Sequence, residues 1–501
     1  MPNVSSKIVR GAAWMVGLRL LQRSLGLIST VVLARLLLPE DFGLVAMALA
    51  FYALVELIGF LGFDAALIRK KAADRVHYDT AWTLGILLKG ATALILYLSA
   101  PAVAAFYDEP RIREILYVFA LVSLVGAFEN IGIVNFRKEL SFDQEFRFQL
   151  MKKLISVVAT VALALYFRSY WALAFGMLAS AIVGVLLSYV MHAYRPGFSL
   201  GAWREMLGFS VWMSIDHIIS FIRERGSDFV VGKFLPAQAL GAYRVGSELA
   251  SLPTTQLYLP VMRAVFPGYA KIVDDPQALR SVYLSTQASI ATIVLPVTVG
   301  LVLLAEPLVL LLLGPRWGEA VPLVRVLGLY GITRLLQGNR NALFVAKGKP
   351  SWLAALGLLE VTVMFPLIFY WLLNGGEVVM VGWAKVIASL VILPLGVYLV
   401  CSVVAMSGRD FLGTVWRPVL ACGAMSLAVW LVGRSLDFAP DEGGAALALA
   451  ALVPLGALVY LVALGAFWLV AGRPRGIEYS ALALLGRWPR IAALVRRILP
   501  K

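Results

Sequence analysis

The chain has 501 residues, of which 61% are hydrophobic and only 15% charged, with a mean hydropathy of +0.85. No soluble domain keeps such a composition in water, so the chain is an integral membrane protein, and the absence of strict apolar–polar alternation argues against a β-barrel. Three His and two Cys indicate neither a metal centre nor a disulfide framework; Cys401 and Cys422 fall in or beside apolar runs and read as small buried hydrophobes.

Apolar runs of about 20 residues, separated by Lys, Arg or Asp, recur along the whole length and predict an all-α polytopic protein. The first run follows Lys7 and Arg10 and itself carries Arg19 and Arg23, so it reads as a retained span and not a cleaved signal peptide. Spans are expected at roughly 10–36, 42–68, 81–106, 114–136, 154–167 and 171–193. A second set follows at roughly 207–233, 240–266, 283–305, 321–345, 352–373 and 378–402, with two more near 418–434 and 445–470, making about fourteen. The connections holding Arg69-Lys70-Lys71, Arg137-Lys138, Lys152-Lys153, Lys347 and Lys349, together with both termini, are placed in the cytoplasm; Glu40-Asp41, Asp108-Glu109 and Asp441-Glu442 fall outside.

The two sets of six are related. Leu33 to Gly43, LARLLLPEDFG, returns in degraded form as Gly232 to Gly241, GKFLPAQALG, and each reads as a helical hairpin tip in which Pro and Gly permit a tight connection. Glu129-Asn130 before Phe136-Arg137-Lys138 has a weak echo in Asn339 before Lys347. Parallel repeats then give a six-helix lobe at 1–200, a second at 201–406, two further helices within 407–470 and a basic segment at 471–501. That last segment, with Trp488, Ile491, Leu494 and Ile498 among arginines, reads either as an interfacial helix or as a frayed basic tail.

Arg10-Gly11, LARLLLPEDFG, then GFDAALIRKK at 62–71, Phe136 to Leu140, Gly241-Ala242-Tyr243, Phe266-Pro267, Ala305-Glu306-Pro307 and Gly314 to Trp317 occur in an order that resembles the polysaccharide-exporter branch of the multidrug/oligosaccharidyl-lipid/polysaccharide (MOP) flippase superfamily. The resemblance runs from about residue 5 to about residue 410. It implies two lobes in a V around a central cavity and carriage of lipid-linked oligosaccharides for O-antigen or exopolysaccharide across the bacterial inner membrane. In the related lipid II flippases, arginines on the first and eighth spans engage pyrophosphate. Arg19 or Arg23 matches the first; the second falls at Glu248, with Arg244 and Arg263 nearby.

Ionised side chains at bilayer depth cost several kcal/mol unless they face a cavity or a partner. Arg19, Gln22, Arg23 and Gly26 share one face of the first span, and Arg23 lies too far from the helix start to snorkel. Span seven carries Asp216, His217, Arg223, Glu224, Arg225 and Asp228; span eight carries Arg244 and Arg263; span ten carries Arg334, Gln337, Arg340 and Asn341. The cations Arg19, Arg23, Arg223, Arg225, Arg244, Arg263, Arg334 and Arg340 are candidate cavity residues for a pyrophosphate. Glu56, Asp216, His217 and Asp228 are candidates for coupling to a proton or sodium ion. An ion-pair network holding the two halves together is the competing account of the same charges. Asp64 and Lys89 are expected near the cytoplasmic ends of their spans.

No GKS or GKT phosphate loop, GxSxG elbow or HExxH is present, so neither nucleotide hydrolysis nor metal chemistry is indicated, and no cofactor is expected. The expectation is a non-enzymatic flippase for polyprenyl-pyrophosphate-linked oligosaccharides. Its partners would be membrane lipids, a polysaccharide polymerase and chain-length proteins, and no nucleic acid. A drug or cation antiporter of the same superfamily would favour an acidic cavity over this arginine-rich one, and a polymerase or ligase would need a large charged outer loop.

Overall fold

The computed structural model describes residues 3–59, 73–139, 141–204, 225–258, 272–436 and 438–472, with 67, 68, 70, 222, 262, 265, 268 and 269 between them. All regular structure among these is helical. The chain divides into two compact units, Met1–Arg244 and Val245–Lys501. Among the described residues nine helices are long and apolar enough to cross a membrane, or ten if one bent pair makes a single span.

The first unit contains α1 (Asn3–Leu36), α2 (Pro39–Gly59), α3 (Arg75–Tyr107), α4 (Arg111–Gly126), α5 (Phe142–Phe167), α6 (Trp171–Met191) and the start of α7 (Ala237–Ala250). The tip between α1 and α2 is fixed by Asp41, whose carboxylate accepts from the backbone N–H of Leu38 at 2.9 Å and of Tyr170 at 2.8 Å. Pro39 opens α2, where its missing N–H costs nothing. The repeated tip ahead of α7 packs directly on this one. A Cβ built on Gly43 would lie 1.7 Å from the Ala237 carbonyl oxygen, and one on Gly241 would lie 1.8 Å from the Pro39 carbonyl oxygen. Each glycine of the repeated motif thus makes room for the backbone of the other copy.

Four boundaries differ most from expectation. The fourth span, expected unbroken over 114–136, ends as α4 at Gly126 and resumes through a turn at Ile131–Ile133, the two pieces being bent by 69°. Asn130 causes the break: fully buried, it accepts from Gly132 N–H and donates to the Tyr194 carbonyl, offering the backbone an alternative to the helix ladder. The fifth span begins at Phe142, not near 154, because its first turns carry Asp143, Glu145 and Arg147 and so escape an apolar window. Lys152 and Lys153 are therefore helical residues and not part of a loop. The eighth span, expected to 266, leaves α7 at Ala250; Pro253 cannot donate to the ladder, and a π turn follows at Thr254–Tyr258. The thirteenth begins at Gly408, ten residues early, behind a Ser407/Asp410 capping box.

The second unit contains α8 (Pro276–Leu303), α9 (Ala305–Leu313), α10 (Ala320–Ala346), α11 (Pro350–Leu373), α12 (Val378–Val404), α13 (Gly408–Ser435) and α14 (Glu442–Val470). Asp275 caps α8 by accepting from Gln277 and Ala278 N–H, both at 3.0 Å. Tyr283, Phe344, Ile392 and Val400 share one core among α8, α10 and α12. A separate core of Leu295, Met425, Leu452 and Tyr460 binds α13 and α14 to α8. Cys401 and Cys422 are free thiols; Cys422 is buried as expected, whereas Cys401 is only partly buried at the edge of its core.

Candidate functional site: charged faces inside the helices

In the first unit, the pairing of Trp14 with Phe146, ring centroids 4.8 Å apart, sets α1 beside α5. Their far ends meet again where Leu33 and Leu37 join Ala164 in one cluster, so the two helices run parallel. Arg19 is exposed on α1, whereas Arg23 is half-buried and its Nη1 is enclosed without a hydrogen-bond partner. A guanidinium N–H in that condition is a donor awaiting an acceptor. Glu56 accepts from Tyr52 one turn away and faces Lys89. Lys89 sits mid-helix in α3 and donates to the Gly126 carbonyl at 2.8 Å, so the expectation that it is a residue of the span's end is corrected: it caps the break after α4.

Asp228 is 2% exposed and brings together two of the cationic candidates, with Arg244 Nη1 at 2.9 Å and Arg225 Nη1 at 3.7 Å. This carboxylate is engaged in an ion pair that bridges the hairpin. Asp216, His217, Arg223, Glu224, Arg263, Asp64 and the basic segment beyond residue 472 lie outside the described residues.

In the second unit Arg334 and Arg340 occupy α10 as expected, but their setting includes residues that sequence reasoning missed. Tyr330 donates to Glu360 of α11 at 3.1 Å and receives Arg334 Nη1 at 3.4 Å, while Lys385 of α12 adds its charge to the same group. Glu360 is 5% and Lys385 9% exposed. One turn further, Gln337 donates to the Ser389 carbonyl and hydroxyl at 3.0 and 2.9 Å, and Thr333 donates to the Ser389 hydroxyl at 2.7 Å. Arg340 lies over Gly396, where a Cβ would stand 2.2 Å from Nη1. Single charges in otherwise apolar runs, Glu360 and Lys385, were the available signal. The two asparagines of the sequence echo, Asn130 and Asn339, are both fully buried and both donate to backbone carbonyls, Asn339 to that of Tyr283 at 3.1 Å.

The segment after α6 is an extended strap over the start of α3. Asp79 accepts from Tyr194 Oη and Gly197 N–H, both at 2.7 Å, and Thr83 Oγ1 accepts from Ser199 N–H at 3.0 Å. His192, which precedes the strap, is pushed by burial below the ordinary imidazole range, and its Nδ1 accepts from Tyr194 N–H. At the start of α3, hydrogen bonds from His77 hold the Asp74 carboxyl below the usual carboxylate range.

Among the described residues no group of three or more His, Cys, Asp or Glu is placed to hold a metal ion. Membrane-length helices with ionised groups enclosed between them define the class: a multi-pass α-helical membrane protein with charged faces inside its spans. Residues 32–322 match the family model described as "Polysaccharide biosynthesis protein". The chain belongs to this family. It is 23% identical over 477 residues to teichuronic acid biosynthesis protein TuaB of Bacillus subtilis (strain 168), covering 92% of this chain and 96% of that one. It is 25% identical to lipopolysaccharide biosynthesis protein WzxC of Escherichia coli (strain K12), over 69% of this chain and 71% of the relative. Its fold is that of the lipid II flippase MurJ in an inward closed conformation, with a TM-score of 0.68 at 16% identity, covering 93% of this chain and 100% of MurJ.

Proposed function

We propose that this protein is a flippase that carries polyprenyl-pyrophosphate-linked oligosaccharide repeat units across the bacterial inner membrane, for lipopolysaccharide O-antigen or exopolysaccharide synthesis. The observation that carries the reading is the enclosed, unpartnered Nη1 of Arg23 inside α1. A cationic donor held within an apolar span is costly by itself and is satisfied by an anionic headgroup passing through. Membership of the polysaccharide family and the MurJ-like fold supply the class of cargo.

In this reading about fourteen spans form two six-helix lobes in a V, at 1–200 and 201–406, with two helices appended, both termini in the cytoplasm and the 471–501 segment along the inner leaflet. The pyrophosphate enters the cationic interior, the sugar follows it through the polar path and the prenyl chain stays in lipid. Alternation of the lobes moves the headgroup without bond chemistry, and no cofactor takes part. A proton or sodium ion bound at an acid such as Asp216 drives the return, and a polymerase and chain-length proteins take up the product.

The test is translocation of a lipid-linked oligosaccharide in proteoliposomes, read by accessibility to a membrane-impermeant reagent. Arg23→Ala should abolish transport at normal abundance and Arg23→Lys should retain part of it, since a point charge replaces a planar fork. Full activity of Arg23→Ala refutes the reading.

A further inference from the structure

The strap after α6 is built inside out for a loop that faces water. Its small residues and backbone donors turn toward α3: Gly197 N–H meets Asp79 at 2.7 Å, Ser199 N–H meets Thr83 Oγ1 at 3.0 Å and Ala202 N–H meets Thr80 Oγ1 at 3.3 Å. Gly201 lies against Val76, where a Cβ would stand 2.8 Å from Cγ1. Extended backbone sends successive side chains to opposite sides, and here the large apolar residues take the outer one. Phe198 is 76% and Leu200 49% exposed, and Trp203 follows, also exposed. A contiguous apolar face on an otherwise polar segment marks a surface that meets something other than water.

The length of α3 places that face. The helix has 33 residues and is about 50 Å long, against a hydrocarbon core of about 30 Å. Its residues 84–107 carry Lys89 as their single charge and, at about 36 Å, cross the core by themselves. Residues 75–83, with Arg75, His77 and Asp79, are the surplus and stand at headgroup level. The strap dips along this surplus: Gly197 lies beside Asp79, Ser199 beside Thr83, where the apolar stretch is about to begin, and Gly201 is back at Val76. Its deepest part, Phe198 to Leu200, therefore sits at the boundary between headgroups and acyl chains. Backbone donors unmet at that depth are costly, and the side chains of Asp79, Thr83 and Thr80 meet those of Gly197, Ser199 and Ala202. Phe198 has its ring centroid 5.2 Å from that of Trp82 on one side and is open on the other. At the margin of the dip the Arg204 guanidinium lies 5.3 Å over the Trp203 ring, and the Arg75 side chain stays 73% exposed beside Asp79. A soluble protein would have to enter the leaflet to reach Phe198, whereas lipid is already there.

We infer that residues 197–204 form an interfacial anchor for anionic lipid at the Arg75 end of α3, the cytoplasmic leaflet in the orientation proposed above. Phe198 and Leu200 insert among the acyl chains, Trp203 lies at the headgroups, and Arg75 and Arg204 take the phosphates. The anchor is a lipid contact separate from the transported cargo, and it holds regardless of what the cargo is.

Two measurements on the full-length protein in nanodiscs test the anchor. Hydrogen exchange over 197–202 should be about fivefold or more slower in phosphatidylglycerol than in phosphatidylcholine, the worth of one arginine near an anionic surface. Arg75→Gln with Arg204→Gln should bring that ratio close to unity, whereas a strap held by α3 alone exchanges equally in both lipids. A wild-type ratio of unity, or an unchanged ratio in the double variant, overturns the anionic contact. Depth is read from a nitroxide on Leu200→Cys in a Cys401→Ala, Cys422→Ala background. It should collide more with oxygen than with a water-soluble nickel(II) chelate, and a nitroxide on Asp74→Cys should do the reverse. Preference for nickel at residue 200 places the strap in water, and shielding from both places it under protein; either result overturns insertion. If the cysteine-free background fails to fold, Leu200→Ser in the native background should speed exchange over 197–202 in phosphatidylglycerol, and an unchanged rate overturns insertion in the same way.

Discussion

Replacing Gly43 by Ala tests the interlocked hairpin tips. At an ordinary helical site the change gains about 1 kcal/mol in helix propensity. Here the new Cβ would stand 1.7 Å from the Ala237 carbonyl oxygen and 2.4 Å from its carbon, whereas carbon and carbonyl oxygen rest no closer than about 3.3 Å. The tips must part by about 1.5 Å, and since the obstructing atoms are backbone no rotamer change relieves them. Overpacking of this kind costs about 1–3 kcal/mol, and a rigid obstacle puts it at the upper end, for a net loss of about 2 kcal/mol. Gly241→Ala meets the Pro39 carbonyl oxygen at 1.8 Å and should cost the same. Both clashes lie in one contact, so separation forced by the first relieves the second. The double variant should lose about 2–3 kcal/mol instead of about 4, a coupling of about 1–2 kcal/mol. Unfolding free energies of the four purified proteins in one detergent measure this cycle. A Gly43→Ala protein as stable as the wild type, or strictly additive losses, would refute the reciprocal contact.

Asp228→Asn should destabilise the protein by about 2 kcal/mol, less than the 3–5 kcal/mol of a fully buried pair because Arg244 retains 31% side-chain exposure; Arg244→Met in the same background should recover much of the loss, and an unchanged melting temperature of Asp228→Asn counts against the pair. Asp79→Ala removes the acceptor for Tyr194 and Gly197 and should release the strap, seen as faster hydrogen exchange over 192–202 with α5 unchanged; equal protection in both proteins contradicts the strap's anchoring. His192 has its folded pKa lowered by burial, opposed by Glu139 and reinforced by Arg195, so the neutral ring belongs to the folded state. Its stabilising effect is complete above the ordinary value of about 6.5 and is lost as pH falls through the folded value. Stability should therefore drop as pH falls below about 6.5, and His192→Gln should flatten that part of the profile; a variant with the wild-type slope removes His192 as its cause. Glu360→Gln should weaken the seam in the second unit, because Tyr330, Arg334 and Lys385 keep their places while the compensating charge is gone; full thermal stability of that variant would show the charge to be dispensable.

The sequence by itself determined the membrane class, most helix positions and the duplicated hairpin tip, because each depends on composition or on short-range periodicity. Hydropathy placed α6, α10, α11 and α12 within a few residues of their ends. It misplaced the start of α5, since a helix whose first turns are polar satisfies its backbone as fully as an apolar one and differs only in what its side chains face. Tertiary structure alone decided which charge meets which. Asp228 finds Arg244 across a turn of the chain, Tyr330 meets Glu360 from another helix, and of the neighbours Lys152 and Lys153 the first is neutralised by Glu129 while the second turns toward Gly26. Those outcomes follow from the packing partner and register of whole helices. A side chain's charge is local, but the free energy of that charge in a membrane is set by the group opposite it, and that group is chosen by contacts far apart in the chain.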